Sequence, residues 1–494
     1  MKDSSFGKFA DSVLRWEFFI VIPIYLLCFF LPTGLPGLNF LGVFGLIVFI
    51  GVAIFRRWRI GYFYRRSPID LPIFLFSITA VNAAWLSEFS PAAVARLWVL
   101  VGCVAIYYFI IEHNGEAEMR AYITGLVIAG AIVVLAFSLI IVLNPANKLT
   151  VLQNTREFPI VIAGVLDPLS IHNEPVFWSI NWESVVVTGM VTLPLLWSLI
   201  RLGHHRFLRI TFILTAILLV LALAHVSGIG PVIALVISWM FIGLILRRYY
   251  LVLGVAALGG FALVSLKVRQ AFVNYLLRTI NLRADLWQSA IYMIRDFPLT
   301  GIGLSLSKWY TMLQGYALPN LIVYMDQPGE FLLRSTHNYY LQTWVEQGIL
   351  GFVSIVAIFV FGLWCGGRAL RASFGYKKSV LLGALWLFSL ICVHSLWYAL
   401  PSTVGAIMLW CSLGLIVAVN LPVLKQPSTL RTPREKRRGY FFAILLGLTL
   451  WLTLLSVAQI NARPVFGILI ALGGGITLGG YAIIRNFELE SGRS

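Results

Sequence analysis

Apolar runs of about 20 residues recur along most of the chain, separated by short polar or turn-forming stretches. A helix needs about 20 mostly apolar residues to cross the hydrocarbon core of a bilayer. On that basis spans are expected near 15–33, 37–55, 71–88, 95–111, 120–143, 181–200, 208–225, 230–246, 249–266, 343–365, 379–397, 402–420, 440–459 and 464–484. The first run leads into Pro-Thr-Gly-Leu-Pro-Gly rather than a small-residue cleavage site, so it reads as a retained span. Two connections are long, 144–180 and 267–342, and long connections without structure of their own are uncommon unless they carry function. The expected organisation is an N-terminal membrane part (1–266), a large extramembrane loop (267–342) and a C-terminal membrane part (343–494).

Composition makes the same case. The 494 residues are 60% hydrophobic and 12% charged, with a mean hydropathy of +0.89. Soluble domains carry about twice that charge. A soluble enzyme, a disordered tail and a coiled coil are therefore excluded. The formal net charge of +17 would suit a nucleic-acid binder only if the basic residues gathered on one soluble domain. They are instead scattered in clusters between apolar runs, as the positive-inside bias of membrane proteins requires. With the N-terminus inside, 26 of the 37 Lys and Arg residues fall in inner segments, which puts both termini in the cytoplasm and both long loops outside. The basic run 425–438 is expected as a cytoplasmic cluster near the lipid headgroups. Cys28, Cys103, Cys365, Cys392 and Cys411 lie in or beside apolar runs without metal-ligand or disulfide spacing, and read as small apolar fillers.

Span centres are nearly empty of charge. Arg96, Glu183, His225, Glu346 and His394 sit near expected outer ends, which favours chemistry at the membrane–water interface over an ion-coupled transport path. The loop 267–342 holds Lys267, Arg269, Arg278, Arg283, Arg295, Lys308 and Arg334 against Asp285, Asp296, Asp326 and Glu330. Long loops translocate regardless of charge, but cations on the outer side also suit an anion at the outer leaflet. Within this loop 281–296 is expected to be helical, with Leu282, Leu286, Ala290 and Ile294 at helical spacing and Arg283 and Trp287 one turn apart on a neighbouring face. Pro298 ends that helix, and Gly301 and Gly303 mark a turn. A second helix beginning near His337 would align Asn338, Gln342 and Glu346 as a polar stripe and turn His337 toward the interface. A histidine at a helix start is also an ordinary capping or interface residue.

These segments resemble a known family. Arg283-Ala-Asp-Leu-Trp287 with Pro298-Leu-Thr-Gly301-Ile-Gly303 is similar to the first half of the O-antigen ligase/polymerase signature, and His337-Asn338-Tyr-Tyr-Leu341 with Glu346-Gln-Gly348-Ile-Leu-Gly351 to the second. Asn181, opening a span that reaches Pro194, resembles the family's Asn-then-Pro feature. Where the family commonly has Ser-Arg-Gly between two middle spans, this chain reads His225-Val-Ser227-Gly228, without the Arg. If that Arg grips the donor in the family, Arg156, Arg278 or Arg334 must substitute here. The spans after 440 also extend beyond the family's usual core.

The resemblance implies an all-α, polytopic transmembrane bundle of about 12–14 spans with a large periplasmic loop, GT-C-like, in a bacterial inner membrane. It implies a metal-independent, inverting glycosyltransferase without cofactors. The enzyme would move a glycan from undecaprenyl diphosphate to an acceptor hydroxyl on the periplasmic side. An O-antigen ligase takes lipid A–core as acceptor; an O-antigen or exopolysaccharide polymerase takes another lipid-linked unit. On this reading Arg283, with Arg334, Arg278 and Arg156, holds the diphosphate. Arginine suits it because its guanidinium is always charged and grips phosphate through paired hydrogen bonds. His337 activates or positions the acceptor, supported by Asn338, Glu346, Asn181 and Trp287. A transporter of a lipid-linked glycan or small anion is the alternative of another class, and a non-catalytic membrane scaffold a third.

Overall fold

The computed structural model describes residues 17, 21–30, 39–60, 63–88, 90–143, 182–202, 209–210, 213–214, 229–249, 252–253, 266–304, 306–319, 321, 335–396 and 403–421. Among them every regular element is helical. After a π-helical turn at Leu26–Phe30 come α1 (Asn39–Ile60), α2 (Asp70–Leu86), α3 (Pro91–Glu112), α4 (Glu116–Leu143), α5 (Trp182–Leu202) and α6 (Ile229–Ile245). They are followed by α7 (Leu266–Asp296), α8 (Leu306–Tyr316), α9 (Tyr339–Ala372), α10 (Gly375–His394) and α11 (Thr403–Asn420). The chain is thus a polytopic helical membrane bundle. The expected loop 144–180, the basic run 425–438 and the spans 440–459 and 464–484 lie outside the described residues, as do Arg156, Asn181, His225 and Arg334.

Local chemistry sets the helix ends. Ser90 accepts a hydrogen bond from the Ala93 N–H at 3.4 Å, and Pro91, which has no N–H to leave unpaired, opens α3. Asp70 holds Ser67 through its backbone N–H (2.9 Å) and hydroxyl (2.7 Å), which fixes the entry to α2.

Four helices are long and apolar enough to cross a bilayer among the described residues: Phe40–Arg57, Ala93–Glu112, Tyr339–Ala372 and Gly375–His394. Shorter apolar helices, including Asp70–Leu86 and Gly405–Asn420, pack among them. The outer face of α1 carries Phe40, Val43, Phe44, Ile47, Ile50 and Ile54 at helical spacing, with Phe40 and Ile47 each 62% exposed. A continuous exposed apolar stripe of this kind suits a lipid-facing surface. The core lies where α9, α10 and α11 meet α3 and α5, around Phe109, Leu196, Phe388 and Leu413.

Contacts fix the relative directions of the helices. Asn114, just past α3, donates to the Ala418 and Leu421 carbonyls near the end of α11, and the Arg371 Nε donates to the Ile245 carbonyl at 3.4 Å. This end of the bundle gathers the C-termini of α3, α6, α9 and α11. The opposite end gathers the N-termini of α3 and α9 and the C-termini of α2 and α10, and it receives the loop 297–304.

One cation of the basic clusters is not a surface charge. Arg56, at 1% exposure, donates to Glu17 (3.1 and 2.5 Å) and to Glu112 (2.9 Å) within the protein interior. His113 lies 3.8 Å from the same Glu17 carboxylate. Arg56 therefore joins Glu17 to α1 and α3 rather than facing lipid headgroups.

Candidate functional site

The expected helix at 281–296 is the last half of a longer one: α7 begins at Leu266. Its buried stripe of Leu286, Ala290, Met293 and Ile294 packs on Trp309 and Leu313 of α8 and on Val345 of α9. The segment Leu306–Tyr316 thus folds as a short amphipathic helix against α7. Asp296 accepts a 2.5 Å hydrogen bond from the Tyr316 hydroxyl, which holds that phenol above its ordinary pKa and ties the ends of α7 and α8 together.

The two glycine-bearing signature segments meet backbone to backbone. Gly348 breaks α9 with φ +72° and ψ −173°, so the helical ladder is interrupted there. The released carbonyls do not go unpaired. Val345 accepts from the Ile302 N–H at 2.7 Å and Glu346 from the Gly303 N–H at 3.1 Å, while the Ile349 N–H donates to the Pro298 carbonyl at 2.9 Å. The turn 298–303 therefore substitutes for a missing helical turn. Gly301 sits at φ +69° and so close to α9 that a Cβ would stand 2.5 Å from the Glu346 carbonyl. The Leu304 N–H then donates to the Ala83 carbonyl at 2.9 Å, and Lys308 donates to the Leu86 carbonyl, so the same turn also closes the end of α2.

His337 lies just before α9, not in it. Asn338 is the N-cap, accepting from the Tyr340 and Leu341 N–H groups at 3.0 Å each. His337 itself takes φ +50°, the left-handed region that non-glycine residues rarely occupy. Its neighbours are pinned from several sides. The Thr336 N–H donates to Gln342 Oε1 at 2.9 Å, and the Thr336 carbonyl accepts from Trp287 Nε1 at 2.8 Å. The Tyr339 N–H donates to the Ser395 carbonyl at 2.9 Å, bringing the end of α10 to the same place.

The polar stripe expected on α9 exists but faces inward. Gln342 donates to Glu346 Oε1 at 2.8 Å, and Arg96 of α3 grips both Glu346 oxygens at 2.7 Å each. Glu346 reaches the His337 loop through Gln342, and Asn338 acts on the backbone of the next turn. A cavity of about 80 Å³ lies beside the ion pair, walled by Phe76, Ala80, Val99, Cys103 and Trp410. Its volume suits a few water molecules and not a sugar ring.

Arg283 and Trp287 occupy one face of α7, as expected from their spacing. Trp287 carries the bond to Thr336, and Arg283 lies within electrostatic range of His394, the last residue of α10. The Arg283 Nη1 is buried and makes no hydrogen bond among the described residues. The other expected outer cations have different fates. Arg96 is committed to Glu346 and Lys308 to Leu86. Arg278 lies on α7 with its side chain outside what is described, and Arg334 and Arg156 lie outside the described residues altogether.

Arg96 and His394 belong to this cluster, yet neither falls in the signature segments. A usable signal for Arg96 was present: it and Glu346 are opposite charges at the expected outer ends of two apolar runs, and intramembrane charges pair. His394 stands with them among the ionisable residues at expected outer ends, but nothing along the sequence ties it to Arg283.

A family model described as O-Antigen ligase matches residues 210–356, which include α7, α8, the His337 loop and the first part of α9. No curated protein matches the chain.

Proposed function

We propose, from the match of residues 210–356 to the O-antigen ligase family model, that the chain is a membrane glycosyltransferase of the O-antigen ligase/polymerase family and transfers a glycan from undecaprenyl diphosphate to an acceptor hydroxyl at the periplasmic face. Ligation of O-antigen to lipid A–core is the reading adopted. The observation that carries it is the buried Nη1 of Arg283, without a hydrogen bond among the described residues and one helical turn from Trp287, which holds the loop of His337. A guanidinium nitrogen out of water without a partner costs free energy, and a phosphate oxygen supplies the missing acceptor. The positive-inside distribution of the cations supports a periplasmic position for this end of the bundle.

In the transfer, the acceptor oxygen forms a bond to the anomeric carbon as that carbon's bond to the diphosphate oxygen breaks. His337 takes the acceptor's proton, and the electron pair of the broken bond leaves on the lipid diphosphate. Arg283 stabilises the charge growing on that leaving group, a fixed donor aimed at the transition state. A single displacement inverts the anomeric centre.

Purified protein in lipid nanodiscs, given an undecaprenyl diphosphate-linked oligosaccharide, tests this. With lipid A–core as acceptor, His337→Ala and Arg283→Ala should abolish transfer, and Arg283→Lys should be impaired because an ammonium cannot grip two oxygens in parallel. Normally folded variants that keep full transfer would overturn the assignment. Chain extension of the donor without lipid A–core would identify a polymerase instead.

A further inference from the structure

The charged pair farthest along the polar stripe has no role in gripping a donor, because Arg96 is paired with Glu346 through both terminal guanidinium nitrogens. Its position shows another use. From Arg96 an unbroken series of hydrogen bonds runs through Glu346 to Gln342 and from Gln342 to the backbone N–H of Thr336. The Thr336 carbonyl is held by Trp287 from α7. Thr336 is therefore gripped at both backbone groups by side chains of different helices, while its own hydroxyl donates to the Asn338 carbonyl at 2.8 Å and accepts from the Asn338 N–H at 3.2 Å. Between those two restrained residues stands His337 at φ +50°.

That conformation is unfavourable for a non-glycine residue and persists only where its surroundings over-determine it. Gln342 alone would be a poor restraint, since its amide can rotate. Glu346 fixes the rotation by accepting from Nε2, which leaves Oε1 turned to Thr336. Arg96 in turn keeps the buried Glu346, at 1% exposure, in one orientation. We propose that Arg96 is a positioning residue, acting through Glu346 and Gln342 to hold the His337 imidazole where the acceptor hydroxyl is deprotonated. The inference rests on the reading of His337 given above.

The test compares Arg96→Met, Gln342→Leu and the double variant Arg96→Met/Glu346→Gln with His337→Ala in nanodiscs. Release of undecaprenyl diphosphate from the oligosaccharide donor gives kcat and donor KM, with lipid A–core at saturation. Binding of farnesyl diphosphate and thermal unfolding are measured on the same samples. Arg96→Met and Gln342→Leu should each lower kcat about tenfold or more, as misplacing a reacting group does. Donor KM and farnesyl diphosphate affinity should stay within about twofold, because Arg283 is untouched. The double variant should recover part of the kcat lost in Arg96→Met. Its Glu346→Gln change avoids a buried carboxylate without a cation and still offers an acceptor to Gln342 Nε2. Wild-type kcat in Gln342→Leu, or kcat, donor affinity and melting temperature falling together in every variant, would overturn the positioning role. If His337→Ala also retained full activity, the failure would lie in the catalytic assignment itself.

Discussion

Gly348 of α9 and Leu299 of the turn 298–303 stand so close that a Cβ on Gly348 would collide with the Leu299 carbonyl oxygen. This contact explains why glycine occurs in both signature segments: one breaks a helix, and the other supplies the backbone that fills the break. Gly348→Ala would face both this clash and φ +72°. It should lose at least about 2 kcal/mol of stability, read as a lower melting temperature in detergent, with transfer activity lost in parallel. An unchanged melting temperature would contradict the docking.

Trp287→Phe keeps an aromatic ring but removes the N–H that holds the Thr336 carbonyl. The loss of one such bond should cost about 1 kcal/mol of stability. Transfer should fall by a larger factor than stability explains, because the bond restrains the His337 loop. Equal activity at saturating substrate would show that the loop keeps its shape without it.

Asn338→Ala removes the acceptor of two N–H groups at the start of α9. A lost N-cap costs about 1 kcal/mol, so the melting temperature should drop modestly, and Asn338→Asp should restore it. Failure of the Asp variant to restore stability would mean that Asn338 matters for something other than capping.

Lys308→Met separates a structural cation of the loop 267–342 from the one assigned to the donor. Lys308 is bonded to the Leu86 carbonyl at the end of α2, so its loss should lower stability while leaving affinity for farnesyl diphosphate unchanged. Arg283→Met should do the reverse. Weakened diphosphate binding in Lys308→Met would place that ammonium at the donor after all.

At the other end of the bundle, Arg56→Met would leave Glu17 and Glu112 buried without their cation. Breaking such a pair from one side costs about 3–5 kcal/mol, enough to reduce the yield of folded protein sharply. Adding Glu17→Gln and Glu112→Gln should recover most of it. No recovery would point to shape, not charge, as what Arg56 supplies.

The helical membrane fold and the two signature segments were legible along the chain. A bilayer acts on each segment separately, so about 20 apolar residues in a row declare a span with no knowledge of their neighbours. The helical face shared by Arg283 and Trp287 was legible for a similar reason, since residues four apart on a helix stand one above the other. The break at Gly348, the inward turn of the Gln342–Glu346 stripe and the left-handed backbone of His337 were decided by tertiary contacts. Arg96 and Glu346 are separated by 250 residues, and Trp287 and Thr336 by 49. Hydrogen bonds between such positions exist only once several helices have packed, because only then are their donors and acceptors brought within reach and removed from water.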